Sequence, residues 1–420
     1  MKILDFFSYA LIRMLTFPIR FMPYAWIHRF GNTLGRIAFH LIPNYRKRAL
    51  SNLALAKSLG FSNEQILETA KQTFGNLAIN CLEYAKLGAD DQLLKTIECK
   101  NPEILKKLHS KGQGSIFFCA HQANWEVLFL YGTLFMKGVA IGKEIKNKRL
   151  YNWIISIREK NGGKIISVKN GIREGLRALK SGAFLGIVGD QSTAGSGYQS
   201  HFFGRPAWTS SAPALLAYKT NCPIIFAETR RSNGKYQIHF SDPIWPDLTK
   251  PVEEQVSRMM NETLCLLEES IKKQPDQWLW QHNRWKQQSV QKILRQFRYD
   301  SICIMLPSDP KDFAQINAHL PTLKEIYPTE TFFLFTHRQN LPSIEAEEVF
   351  YYDHPSELLR EDYRFKLIFN FTNNQKIKTH YLNLSAFKVL SLTDLTRLAM
   401  PHLQAEYTLS DIIKRAICPI

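Results

Sequence analysis

The chain reads as an α/β protein: a mostly parallel sheet flanked by helices, preceded by an N-terminal membrane-associating helical segment and followed by a smaller C-terminal α/β domain. Three observations predict this. From Ser115 to Ile271, short apolar runs that end abruptly in polar residues alternate with segments of helical period, the pattern of successive strand–helix units. The first 43 residues are rich in aromatics and interrupted by single cations. The charge is also partitioned: 54 Lys/Arg against 37 Asp/Glu give +17, yet from Gln291 onward 15 of each cancel. A basic body and a neutral tail place a boundary near position 290, so the expected divisions are 1–43, 44–290 and 291–420.

In order, Ile3–Ile12 and Met14–Ile19 are apolar stretches set among Lys2, Arg13, Arg20, Arg29 and Arg36, with Phe6, Phe7, Leu11, Leu15 and Phe17. Neither approaches the ~20 residues of a spanning helix, and no signal-peptide cleavage pattern follows. A helix lying in the membrane interface with its arginines snorkelling fits, broken by Pro18 and Pro23; packing on the protein's own core is the alternative. Arg46-Lys-Arg48 then enters a helical pattern. Ser62 and Gln65 form a capping box for a helix that places Ile66, Ala70, Phe74, Leu77, Cys81 and Ala85 on one face. Ile116–Ala120 reads as a buried strand, and Val127–Met136, Leu150–Lys160 and Gly171–Lys180 as helices. Ala183–Val188 is a strand ending in Gly189-Asp190-Gln191. After the Gly/Ser-rich loop Thr193–Pro206, Ser210/Ser211 cap a helix with Pro213 in its first turn. Cys222–Thr229 is a strand and Val252–Ile271 a long amphipathic helix. In the tail, Ser301–Leu306, Thr331–Phe335 and Lys366–Phe371 read as strands and Phe313–Ile326 as a helix.

The candidate chemistry sits at the first of these strand ends. His121 follows the Ile116–Ala120 run and Glu126 comes five residues later. An imidazole beside a carboxylate takes a proton from a hydroxyl at neutral pH, the carboxylate fixing the tautomer. The carboxyl end of a strand is where an open α/β sheet binds ligands, and Gly189-Asp190-Gln191 is expected on the same edge. Asp190 and Gln191 either shape a site there or cap a helix. The basic body suits nucleic acid, an anionic membrane or acidic partners, but no nucleic-acid-binding signature is present. Seven scattered cysteines without C-x-x-C read as reduced thiols, not disulfides or a zinc site. The loop at 193–206 lacks both the Walker A ending and G-x-G-x-x-G, so nucleotide binding in this domain is not supported. Gln277-Trp-Leu-Trp-Gln-His-Asn-Arg-Trp285 is a dense aromatic segment that either packs in a core or, with Arg284, lines an acyl groove or membrane rim.

Together these segments resemble the lipid A late acyltransferases, the lauroyl/myristoyl transferases of the lysophospholipid-acyltransferase-like superfamily. The resemblance is carried by Arg46-Lys-Arg with Ser51-Asn-Leu, Phe74-Gly-Asn with Glu83, His121-Gln-Ala-Asn-Trp-Glu126, Arg158, Gly189-Asp-Gln191, Phe202-Phe-Gly204 and Gln277–Trp285, over roughly the first 290 residues. It implies transfer of a fatty acyl chain from an acyl carrier protein thioester to a hydroxyacyl chain of a Kdo-lipid A precursor, at the cytoplasmic face of the bacterial inner membrane. His121 would be the general base and Glu126 its carboxylate partner, with Arg158 and Arg205 touching the anionic head group; no metal or cofactor is implied. An acidic carrier and an anionic glycolipid acceptor would both answer to +17. Two alternatives are an acyltransferase acting on another membrane glycolipid or aminolipid, and a non-enzymatic membrane scaffold. The family usually ends soon after the Arg-Trp segment. The additional tail resembles half of a lipopolysaccharide heptosyltransferase-type Rossmann domain and is expected to be a structural or partner-binding appendage.

Overall fold

The computed structural model describes residues 2–88, 97–193, 197–232, 234–286, 294–372 and 374–419, with side chains from residue 4 onward. The boundary expected near position 290 and residues 194–196 of the Gly/Ser-rich loop lie outside the described residues.

Helix α1 (Lys2–Thr16) and helix α2 (Tyr24–Leu41) are separated by a single 3₁₀ turn at Pro18–Phe21. Pro18 and Pro23 enforce the break, since neither can donate to a preceding carbonyl. No helix among the described residues is long and apolar enough to cross a membrane. Helix α3 (Pro43–Leu55) has its proline in the first turn, where the missing donor is harmless. Helix α4 (Asn63–Leu87) starts at the expected capping box: the Gln65 amide donates to Ser62 Oγ at 3.3 Å and the Ser62 amide to Gln65 Oε1 at 2.9 Å.

The central region runs β1 (Glu98–Cys99), α5 (Glu103–Ser110), β2 (Ser115–Cys119), α6 (Glu126–Gly132), β3 (Gly138–Gly142), α7 (Lys148–Arg158), β4 (Lys164–Ser167), α8 (Gly171–Lys180), β5 (Phe184–Val188), β6 (Tyr198–Phe202), β7 (Arg205–Thr209), α9 (Ala212–Thr220), β8 (Ile224–Ser232), β9 (Lys235–Phe240) and α10 (Val252–Lys273). The tail adds β10 (Ser301–Met305), α11 (Pro310–Asn317), α12 (Leu320–Ile326), β11 (Thr331–His337), β12 (Glu348–Tyr352), β13 (Leu367–Asn370), α13 (Lys376–Leu384), β14 (Lys388–Ser391), α14 (Leu392–Ala399) and α15 (Leu409–Ile417).

These elements form two compact units that cross the order of the chain: residues 1–41, 68–203 and 209–279 in one, and 42–67, 204–208 and 280–420 in the other. In the first, a seven-stranded sheet has the order β1-β9-β8-β2-β5-β3-β4, and its pairings are parallel except for the β8–β9 hairpin. All five residues of β2 are buried, as a central parallel strand covered on both faces requires. In the second, five parallel strands have the order β12-β11-β10-β13-β14. Its first strand is central and later strands are added outward on each side, as in doubly wound sheets. Ile302, Ile304, Leu334 and Phe369 pack with α12 and α15, while Cys303, Met305, Phe333 and Phe335 pack with α13 and with Leu55 of α3.

The α/β architecture with a second parallel sheet is therefore as the alternation predicts, and three local differences have physical causes. The helix expected over Val127–Met136 stops at Gly132, because the chain turns there into β3. That strand escaped the sequence reading because glycines stand at both of its ends. The helix expected over Phe313–Ile326 is two helices, α11 and α12, and Pro321 stands in the first turn of the second, where it cannot extend the first.

Candidate active site

The register of the sheet builds the site. Strands β2 and β5 pair in parallel with Cys119 opposite Val188, and the Gly189 amide extends the ladder to the Cys119 carbonyl at 3.0 Å. Two residues further on each strand stand His121 and Asp190, side by side at the carboxyl end. His121 Nδ1 meets Asp190 Oδ1 at 2.7 Å, and the His121 amide donates to Asp190 Oδ2 at 2.9 Å. Trp278 Nε1 donates to Asp190 Oδ2 at 2.8 Å. The Asp190 side chain is wholly buried, whereas that of His121 keeps 19 % of its surface exposed. With Nδ1 held by the carboxylate, Nε2 is the nitrogen that can meet a substrate hydroxyl.

The backbone around His121 is tightly fixed. The Gln122 amide donates to the Ala120 carbonyl at 2.7 Å, closing a three-residue γ-turn centred on His121. Ala123 follows with φ of 44°, a left-handed conformation that costs an L-residue about 1–2 kcal/mol. Both of its peptide groups are clamped: its amide donates to the Gln277 carbonyl at 2.7 Å, and its carbonyl accepts from the Asn80 side chain. The Leu279 amide returns to the His121 carbonyl at 3.0 Å, and Gln122 bridges Trp278 in antiparallel fashion. The Gln277–Leu279 strip of the aromatic segment is thus the backbone partner of the histidine turn, and Trp278 is buried against Phe202.

Glu126 does not hold His121. The left-handed turn at Ala123 carries it into the first turn of α6, where Arg158 of α7 grips it through Nε at 2.8 Å and Nη2 at 2.5 Å. Tyr84 donates its hydroxyl to the same carboxylate and lies 3.1 Å from Arg158 Nη2. The expected pairing of His121 with Glu126 is thereby replaced by one with Asp190, because a parallel neighbour in register comes closer than a residue sent into the next helix.

Burial opposes a charge on His121, but Asp190 as charge and hydrogen-bond partner, with Glu126 beyond it, outweighs this and raises the imidazole above its ordinary value. Burial likewise works against the Arg158 cation, and Glu126 more than compensates, so its pKa is raised. Burial pushes the Tyr84 hydroxyl well up, and Glu126 adds to it. Cys119, two residues before His121, is buried and its thiol is pushed far above the usual range, first by burial and then by Asp190. It is not poised as a nucleophile.

Gln191 is exposed directly after Asp190. Arg205 and Arg284 belong to the second unit, and both are buried there. Arg205 Nη2 donates to Thr331 Oγ1 at 2.9 Å with its guanidinium over the Trp285 ring, and burial lowers its pKa. Arg284 Nη1 donates to the Trp208 carbonyl at 2.9 Å. Sequence reasoning missed Tyr84, whose only signal was its place one residue after Glu83, and did not assign Trp278 to Asp190.

The arrangement suits proton transfer from a hydroxyl: a base with one nitrogen fixed, a buried carboxylate behind it, and no activated thiol beside it. Among family models, that of the bacterial lipid A biosynthesis acyltransferases matches residues 2–287, about two thirds of the chain. A search of curated proteins found no match.

Proposed function

The chain belongs to the bacterial lipid A biosynthesis acyltransferase family, and from that membership we propose that it moves a fatty acyl chain from an acyl carrier protein thioester to a hydroxyacyl chain of a Kdo-lipid A precursor. The observation that carries the catalytic reading is His121 held through Nδ1 by the buried Asp190 at a strand end, with Nε2 left for substrate.

In this reading His121 Nε2 takes the proton of the acceptor hydroxyl as its oxygen attacks the thioester carbonyl. The tetrahedral intermediate then collapses with departure of the thiolate, which receives that proton from the imidazolium. Asp190 keeps Nδ1 protonated and stabilises the imidazolium. Direct transfer is in keeping with Cys119, two residues before His121, being buried with its thiol pushed far above the usual range. Glu126 supports the site from one step away: it fixes Arg158 and Tyr84 and adds negative potential at His121. Arg158 and the exposed Gln191 remain candidates for substrate contacts, whereas Arg205 and Arg284, buried among partners of the second unit, are not carried forward. An anionic glycolipid and an acidic carrier are the partners that a net charge of +17 favours. The reaction is placed at the cytoplasmic face of the inner membrane. Leu4, Phe7, Leu11, Met14, Leu15, Phe17, Phe21 and Trp26 are exposed along α1, the 3₁₀ turn and the start of α2, as an interfacial anchor requires.

The test is direct. Purified protein supplied with acyl carrier protein thioester and the Kdo-lipid A precursor is expected to add one acyl chain by mass spectrometry, and His121→Ala to lose about 10²–10⁴-fold of the rate. A folded His121→Ala variant at the wild-type rate would overturn the mechanism. A wild type that acylates only another lipid would overturn the acceptor.

A further inference from the structure

Beside Asp190 and Glu126, the histidine turn is linked to a third buried carboxylate that the mechanism above does not use. Glu83 of α4 is fully buried. Its Oε1 meets His28 Nε2 of α2 at 2.7 Å, and its Oε2 accepts from Asn124 Nδ2 at 2.7 Å and from the Tyr236 hydroxyl at 2.6 Å. Asn124 lies three residues after His121, and its Oδ1 accepts the Glu126 amide at 3.2 Å. One residue therefore ties the Glu83 carboxylate to the segment between the two groups of the active site. The network continues on the far side. Arg231 lies 3.3 Å from the Tyr236 hydroxyl and 2.5 Å from Asn76 Oδ1, and Asn76 donates to the Gln277 carbonyl at 3.1 Å, the same carbonyl that receives the Ala123 amide. Asn124 directly, and Ala123 through the Gln277 carbonyl, thus hang from one polar network.

The helices are packed to make this possible. Along the antiparallel contact of α2 with α4, Gly35 faces the Gly75 backbone and Gly31 faces Ile79, so closely that a Cβ at either glycine would collide. Two turns along this close approach, His28 reaches Glu83. On the other side of α2, Trp26 and Phe30 are exposed at 63 % and 44 %. One helix therefore turns an imidazole toward the catalytic turn and an aromatic face outward.

We infer that Glu83, held by His28, is a positioning residue for the His121 turn, so that α2 serves the chemistry as well as the membrane surface. The inference rests on the acyl-transfer reading above. A buried carboxylate stripped of one donor costs free energy, and the network shifts to recover it. Here the shift falls on Asn124 and misaims His121, so turnover falls while substrate affinity holds.

The test separates the two faces of α2. In detergent-dispersed assays, where no membrane docking is needed, His28→Ala and Glu83→Ala are expected to lower kcat at least tenfold with KM for the acyl donor within about twofold. Glu83→Gln, whose carbonyl still accepts from Asn124 and Tyr236 and whose amide can face His28, restores most of kcat. Trp26→Ser with Phe30→Ser keeps kcat in detergent but loses binding to vesicles of phosphatidylethanolamine and phosphatidylglycerol. Amide hydrogen exchange over Gln122–Glu126, read without any substrate, rises in His28→Ala and Glu83→Ala and stays at the wild-type level in the Trp26/Phe30 variant. Wild-type kcat and exchange in both His28→Ala and Glu83→Ala overturn the inference, as does a Glu83→Gln variant no better than Glu83→Ala. If the wild type itself transfers no acyl chain, the proposed function fails, and the exchange measurement still decides the role of Glu83.

Discussion

At the scale of single residues, the site depends on how two carboxylates divide their work. Asp190 holds His121 Nδ1 at 2.7 Å, while Glu126 is committed to Arg158 and Tyr84. Asp190 is the larger influence that raises the imidazole pKa against burial, and Glu126 a smaller one in the same direction. The base is neutral only above that raised value, so kcat/KM should rise with pH through an inflection above the ordinary ~6.5 of histidine. Asp190→Asn removes the stronger influence and leaves an amide that can present the wrong partner to Nδ1. Its inflection should move down in pH and its plateau should fall by at least about tenfold, toward the ~10⁴ associated with a mis-set tautomer. Glu126→Gln should move the inflection down by less. A pH–rate profile of the three proteins checks the order. An Asp190→Asn profile superimposed on the wild type would show that Asp190 is not the partner that matters.

At the scale of elements, the alignment of two strand ends replaces proximity in sequence. His121 and Asp190 meet because Cys119 and Val188 are level in parallel strands, and the junction after β5 is packed to hold that register: a Cβ on Gly189 would run into the buried Phe118 ring of β2. Gly189→Ala should therefore displace Asp190 and not merely crowd the core. We expect a loss of about 1–3 kcal/mol of stability from overpacking, together with a drop in kcat and a downward shift of the acid inflection. Phe118→Leu, which vacates the ring volume, should return part of both in the double variant. Unchanged kinetics in a destabilised Gly189→Ala protein would separate the packing from the site. The same geometry explains what could be read from the chain alone. The alternation of apolar runs and helical periods specified the α/β class, and the abrupt polar end of the Ile116–Ala120 run singled out His121. The partner was not legible: Asp190 is 69 positions away, and which strand lies beside β2 depends on topology that local pattern does not encode. Glu126, close in sequence, was the natural choice until the left-handed Ala123 turned the chain into α6.

At the scale of the whole molecule, the family match and the compact units do not end at the same place. The match stops at residue 287, yet α3, within it, packs with the tail. Asn52 of α3 is buried, with its Nδ2 on the Trp280 and His282 carbonyls at 2.8 and 2.7 Å and its Oδ1 receiving Lys366 Nζ at 2.9 Å. Lys366 is itself buried against Asp300 at 2.8 Å, burial lowering its pKa while Asp300 opposes. Ser51 donates to the Arg364 carbonyl at 3.1 Å and Lys47 to that of Ala386 at 2.8 Å. Leu55 is buried among the strands of the second sheet. A chain ended after residue 287 would keep every matched residue but expose Leu55 and leave Asn52 without Lys366. Losing the burial of Leu55 alone costs about 1.5–3 kcal/mol, and an unsatisfied buried amide about 1–3 more. Against total stabilities of about 5–15 kcal/mol, this should abolish a cooperative fold in the region of α3. The truncated protein is therefore expected to be insoluble or to melt without a sharp transition by circular dichroism. In the full chain, Lys366→Ala should lower Tm, and Lys366→Met with Asp300→Leu, which removes both charges, should recover much of it. A soluble chain of residues 1–287 with the wild-type melting transition and wild-type acyl transfer would instead establish the tail as a separable appendage.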